Sequence, residues 1–283
     1  MNIKNFKTFI FDLDGTLYDS THKLHPENIK LIQKLNEAGK QVILATGRSI
    51  NLIKKTLTDV DSDFATISIN GGLVKEFKTG KIIHQEKISD SDSLAVLKLL
   101  KKYNIETAIY TENGLVFNVE LSKTDSWVIK QNWENADLIE NAIITIIDQP
   151  ELIKGHSVMK FDISTQKVSA YNFKKFQNEL ESSFLDLIGY FSSPYVFELM
   201  PKTVSKGNAI KSMANSGIIN LTTTIAFGDE ANDISSAQIV PNFVAMANSN
   251  PLLLSYAKYK TEYTNNEAGV AKFIKTVMGF DYD

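Results

Sequence analysis

Short apolar runs recur along the chain, each bounded by polar or glycine-containing turns. Thr8–Phe11 (TFIF) has almost no polar alternation, which predicts a strand buried on both faces. From Pro26 the pattern changes period. Ile29, Ile32 and Leu35 fall at helical spacing, and Gly39 closes the run. QVILAT (41–46) predicts a second strand, SINLIKKTL (49–57) a helix and FATISI (64–69) a third strand. The alternation returns near residue 204. VSKGNAIKSMANSG (204–217) reads as a helix, TTTIAF (222–227) as a strand, NDISSAQIV (232–240) as a short helix and NFVAMA (242–247) as a strand. KYKTEY (258–263) suggests a last short strand, and GVAKFIKTVM (269–278) a final helix. Strand and helix in strict alternation predict an α/β fold: a Rossmann-like, doubly wound parallel sheet.

The middle of the chain follows a different rhythm. A helix over 92–104 precedes IETAIYT and GLVFNV, which pair as a hairpin across Glu112-Asn113. A helix around 123–134, the strand AIITII (142–147) and the strand VMKFDIS (158–164) come next. A helix over 167–184 then precedes a second hairpin, LDLIGYFSS and YVFELM, turning at Ser193-Pro194. Helix-then-hairpin occurs twice, which predicts an inserted α+β domain. The expected division is a core of 1–82 and 194–283 with an insert of 83–193.

Composition narrows the classes. The 283 residues are 43% hydrophobic and 22% charged, ordinary for a globular chain that buries a substantial core. The net charge of −3 and the lack of a basic block argue against nucleic acid as a partner. No run approaches the roughly 20 apolar residues of a membrane span. Cysteine is absent, which removes disulfides, thiolate catalysis and thiolate metal sites. A cytoplasmic protein is expected, and a monomer is compatible with the pattern.

Chemistry enters at the ends of the strands. DLDGT (12–16) places Asp12 and Asp14 where β-type chain leaves the core, and a charge there is costly without compensation. A calcium loop is excluded, since its sixth and twelfth positions would be Leu17 and Lys23. At the carboxyl end of a parallel strand a carboxylate can point into the ligand crevice. Asp12 there can attack phosphorus, and Asp14, two residues on, can move protons. In ATGR (45–48) a strand ends in Thr46 and Gly47, residues able to donate to an anion and to let it approach. Arg48, the only arginine in the chain, suits either phosphate or nearby acids, with pairing to the acids favoured. Lys206 opens a helix, where a cation opposes the macrodipole unless acids or phosphate compensate it. GDEAND (228–233) sets Asp229 at another strand end, with Asn232 and Asp233 opening the next helix. Three carboxylates at two strand ends call for a cation, and Mg²⁺ suits few carboxylates plus phosphate oxygens.

DxDGT, Thr46 before Gly47, Lys206 at a helix start and GDxxND, in this order, resemble the haloacid dehalogenase superfamily of phosphohydrolases. The spacing between Thr46 and Lys206 leaves room for an insert that resembles the type IIB cap of the Cof-type hydrolases. The tail, VAMANS and EAGVAKF, is also similar to that subfamily. The resemblance implies Asp12 as nucleophile and Mg²⁺ ligand, and Asp14 as general acid/base whose main-chain carbonyl also ligates the metal. It implies Asp229 as a further metal ligand and Asp233 as an orienting residue. The Leu13 N–H, Thr46, Gly47, Lys206 and Asn232 would hold the phosphoryl group. Ala268, Ala247 and Ser236 depart from the family pattern at positions without a chemical role. The expected activity is Mg²⁺-dependent hydrolysis of a small phosphorylated metabolite: a sugar phosphate, a nucleotide or pyridoxal phosphate. A phosphomutase or phosphotransferase on the same site, and a binding protein on the same fold, are the alternatives.

Overall fold

The computed structural model describes residues 1–49, 65–76, 79–112, 114–137 and 143–281. The expected helix over 49–57 lies almost entirely outside the described residues. In chain order the structure begins with β1 (Thr8–Phe11), α1 (Pro26–Glu37), β2 (Gln41–Ala45), β3 (Ala65–Ser68), β4 (Leu73–Glu76) and β5 (Ile82–Gln85). It continues with α2 (Asp90–Lys102), β6 (Thr107–Thr111), β7 (Gly114–Phe117), α3 (Trp127–Asp137), β8 (Ile143–Ile146) and β9 (Val158–Ser164). Next come α4 (Ala170–Ser183), β10 (Leu187–Ser193), β11 (Val196–Pro201), α5 (Lys206–Asn215), β12 (Thr224–Gly228) and α6 (Ile234–Ile239). The described chain closes with β13 (Asn242–Ala245), α7 (Pro251–Leu254), β14 (Tyr259–Lys260) and α8 (Gly269–Met278).

Two compact units result. One comprises Met1–Gln85 with Val204–Asp283, the other Glu86–Thr203. The first holds an eight-stranded sheet in the order β14-β13-β12-β1-β2-β3-β4-β5. The strands from β14 to β3 are parallel, while β4 and β5 turn antiparallel at the edge. β1 therefore lies inside the sheet, paired with β2 and β12, and all four of its residues are buried. The two-residue period of a strand assigns its side chains to two cores. Phe9 and Phe11 join Leu31 and Leu35 of α1 and Phe273 of α8. Ile10 joins Ile210 and Met213 of α5. Helices thus cover both faces, the doubly wound arrangement that continuous apolar strands require.

The second unit is a six-stranded sheet in the order β10-β11-β9-β6-β7-β8, antiparallel except for β7 with β8. α2 and α4 cover one face through Val96, Leu100, Phe173 and Phe176. Ile129 of α3 packs against Ala108 and Phe117 on the other. The expected boundary at 193 needs correction. β11 pairs with both β9 and β10, so the insert runs through Thr203 rather than stopping at the hairpin turn. At the other junction, the expected limit of 82 falls three residues short of Gln85, because β5 completes the first sheet.

Candidate active site

The site is assembled at the carboxyl ends of β1, β2 and β12. Asp12 follows β1, and by alternation its side chain continues the Ile10 face, toward α5. Lys206 is the first residue of α5, after Ser205, whose side chain caps the helix by accepting from the Asn208 N–H. Lys206 Nζ donates to Asp12 Oδ1 at 2.6 Å and to Asp233 Oδ1 at 2.7 Å. All three side chains are buried. Two carboxylates offset the macrodipole at this helix start and hold the ammonium pKa above its ordinary range against the opposing effect of burial.

Asp233 has a second task. Its Oδ2 accepts the N–H groups of Asp229 and Glu230 at 3.0 and 3.2 Å, which fixes the turn after β12. Gly228 makes room for it, since a Cβ there would fall on the Asp233 carboxylate. Asp229 accepts a hydrogen bond from the Thr16 hydroxyl at 3.2 Å. Carboxylate oxygens of Asp12, Asp229 and Asp233 all lie within 4.8 Å of one another. Burial, first, and then the neighbouring Asp233 charge push Asp229 up to about 7. Burial also raises Asp12, working with Asp233 and Asp229 against Lys206. A crowded set of hard oxygen donors that resists its own ionisation is chemically suited to a small divalent cation. Since both Asp233 oxygens already accept protein donors, Asp12 and Asp229 are the carboxylates left to face such an ion.

Asp14 lies in the turn after β1 and is about half exposed. Arg48 grips it with two bonds, Nε to Oδ2 at 2.7 Å and Nη2 to Oδ1 at 2.5 Å, and also lies over the Tyr18 ring. His22 Nδ1 is 3.0 Å from Asp14 Oδ1. Burial works to raise the Asp14 carboxyl, but Arg48 and then His22 hold it below the ordinary range. Arg48 therefore pairs with an acid at the mouth, as its position after Gly47 suggested. Gly15, next in the chain, has φ +75°, and a Cβ on it would strike the Asp229 carboxylate, so DG is required here for shape as well as turn.

Thr46 and Gly47 follow β2. Thr46 is buried; its main-chain carbonyl accepts from the Asn70 N–H, and its hydroxyl oxygen accepts from the Arg48 N–H. Asn232 Nδ2 donates to Asn70 Oδ1 at 3.0 Å, bridging the ends of β12 and β3. Asp12, Asp14, Gly15, Thr46, Gly47, Arg48, Asp229 and Asn232 line one open pocket of about 420 Å³. The Leu13 side chain is buried, and its carbonyl accepts from the Thr16 and Tyr18 N–H groups. Each expected side chain is thus in this neighbourhood. The sequence pattern assigns no role to Thr16 or His22. The Thr of DLDGT was a visible signal, whereas His22 bonds to Asp14 through a φ of +59° that no pattern announces. Tyr110, in the strand read from IETAIYT, is buried in the other unit, donating to Asn132 Oδ1 at 2.6 Å.

The fold and site define a class of Rossmann-like α/β proteins whose strand ends gather three carboxylates that could hold a metal ion, two of them bonded to one lysine. The sequence matches the family of haloacid dehalogenase-like hydrolases over residues 9–274, and the chain belongs to that family. MG265 of Mycoplasma genitalium is 30% identical over 277 residues, covering 96% of this chain and 98% of that one. YwpJ of Bacillus subtilis, named a phosphatase, is 28% identical over 292 residues, covering 96% and 100%. The solved structure of the subclass IIB sugar phosphatase BT4131 superposes with a TM-score of 0.73 at 21% identity, covering 96% and 98%. The fold is that of the Cof-type, subclass IIB members, and family and relatives together support phosphatase activity.

Proposed function

We propose that this hydrolase is a Mg²⁺-dependent phosphatase of small phosphomonoesters that works through an aspartyl-phosphate on Asp12. The observation that carries the reading is the Asp12–Lys206–Asp233 contact beside Asp229, with Asp14 at the mouth of the same pocket. The alternative of a binding protein would tolerate loss of one of these groups, and all are present.

Mg²⁺, held by Asp12, Asp229 and the main-chain carbonyl of Asp14, would supply positive charge to the phosphoryl oxygens and to the crowded carboxylates. An Asp12 carboxylate oxygen attacks phosphorus, and the bond from phosphorus to the leaving oxygen breaks. Asp14 delivers the proton that this oxygen needs. In the second half Asp14 takes a proton from water, the water oxygen bonds to phosphorus and the Asp12–phosphorus bond breaks. Lys206 fixes the attacking Asp12 and offsets charge as it develops. Thr46, Gly47, Asn232 and the Leu13 N–H hold the phosphoryl oxygens, and Asp233 keeps Lys206 and the Asp229 turn in place. Arg48 and His22 keep Asp14 ionised in the free protein, so Asp14 can donate only after an arriving substrate displaces that grip and the carboxylate has taken up a proton from solvent.

The Glu86–Thr203 unit is assigned as the cap that selects among sugar phosphates, nucleotides and pyridoxal phosphate. A cytoplasmic location belongs to the same reading; among the described residues no helix is long and apolar enough to cross a membrane. The test is phosphate release from a panel of these substrates with and without MgCl₂, with Asp12→Asn alongside. Turnover that needs the metal and disappears in Asp12→Asn is expected. A panel with no turnover, or an Asn variant as active as the parent, overturns the reading.

A further inference from the structure

The segment that carries Asp14 away from β1 is held largely by side chains from elsewhere. The carbonyls of Gly15, Leu17 and Tyr18 each accept from an asparagine amide. The donors are Asn248 Nδ2 at 2.8 Å, Asn28 Nδ2 at 2.9 Å and Asn265 Nδ2 at 2.8 Å. Asn28 belongs to α1. Asn248 lies in the turn after β13 and Asn265 in the turn before α8. Asn248 and Asn265 are linked to each other, since the Asn265 N–H donates to Asn248 Oδ1 at 3.0 Å. One amide side chain thus accepts from the tail and donates to the acidic loop.

The turn that holds Asn248 also reaches the second acidic loop. The Asn250 N–H donates to the Asp229 carbonyl at 2.8 Å, and the Met246 N–H to the Gly228 carbonyl at 3.1 Å. A single residue, Ser249, therefore separates the residue bonded to Gly15 from the residue bonded to Asp229. Residues 246–250 act as a spacer between the loop that bears Asp12 and Asp14 and the loop that bears Asp229 and Asp233. A hold of this kind matters because groups behind metal ligands commonly affect affinity or activity by about 10–100-fold. A misplacement of roughly 1 Å can cost about 100-fold in rate.

We propose that Asn248, locked by Asn265, is a positioning residue: it fixes the Gly15 backbone and thereby the spacing of Asp14 and Asp12 from Asp229. The proposal rests on the Mg²⁺-phosphatase reading of the site. A merely structural tie would alter thermal stability and leave the ion-binding geometry alone, so the deciding readout is metal affinity without substrate. MgCl₂ is titrated calorimetrically into the full chain and into Asn248→Ala, Asn248→Ser and Asn265→Ala. Asn266→Ala is the comparison, because among the described residues the Asn266 side chain accepts from the Ser20 N–H, at the far end of the segment. Asn248 is exposed, so its variants are expected to fold even if Asn265→Ala does not. A rise of about tenfold in the Mg²⁺ Kd of the Asn248 variants, with kcat falling more than KM changes and Asn266→Ala within about twofold of the parent, is the expected result. Folded Asn248 variants whose Mg²⁺ Kd and kcat stay within about twofold of the parent overturn the proposal. A parent that neither binds MgCl₂ nor releases phosphate defeats the phosphatase reading itself and takes the proposal with it, a result distinct from a fault confined to the variants.

Discussion

Lys206 occupies the first turn of a helix, the least favourable end for a cation, and is fully buried there. Only its two carboxylate partners make that tolerable. Lys206→Met keeps the length of the side chain and removes the charge, leaving Asp12 and Asp233 close together in a dry setting. The expected loss is about 3 kcal/mol of stability by urea denaturation. A variant as stable as the parent would show that the pair of acids does not depend on the lysine. Arg48 makes a second residue-level prediction. It holds the Asp14 carboxyl below its ordinary range, so Arg48→Gln should move the Asp14 titration to higher pH, read by carboxyl NMR. No movement would mean that His22 alone sets it. Asp14 gains stability from this pairing above its unfolded pKa and loses it as pH falls through its lower folded value. Half exposure limits the size of that contribution.

At the scale of elements, the strands that place the site were readable because each is a continuous apolar run. β1, β2, β12 and β13 could be located that way, and DLDGT and GDEAND marked where two of them end. β4 was not readable. LVKE is short, mixed in polarity and preceded by two glycines, which signal a turn better than a strand. The insert boundary failed for a related reason. Ser193-Pro194 is a strong turn signal, but only the ladder of β11 with β9 shows that the chain stays in the same sheet. Pairing partners remote in sequence leave no local trace. The turn after β1 yields its own prediction. Gly15→Ala imposes a left-handed conformation on an L-residue, at about 1–2 kcal/mol, and pushes against Asp229. Loss of activity greater than the loss of stability is expected, compared by phosphate release and thermal melting. Full activity would mean that Asp229 yields without consequence.

The whole molecule should respond to pH through the acid cluster. Asp229 ordinarily titrates near 3.8 and is raised to about 7 in the folded chain. Between those values the unfolded chain holds fewer protons than the folded one. Without metal, therefore, the Asp229 contribution to stability falls as pH rises from about 4 through 7, and Asp12 works in the same sense. A divalent ion binds the ionised form and competes with the protons. The increase in Tm caused by MgCl₂ should consequently be larger at pH 8 than at pH 5.5, measured by scanning fluorimetry. An equal increase at both pH values would place the ion away from these carboxylates.

The pairing of β1 with β12 also dictates a timetable. Thr8 lies opposite Thr224, 216 positions further along the chain. At ribosomal rates of about 5–20 residues per second, the first strand is synthesised roughly 10–40 seconds before its neighbour exists. The Glu86–Thr203 unit, by contrast, is contiguous and complete while β12 is still untranslated. Its natural order of folding is the reverse of the reading order: the inserted unit can form first, and the sheet that carries Asp12 closes last.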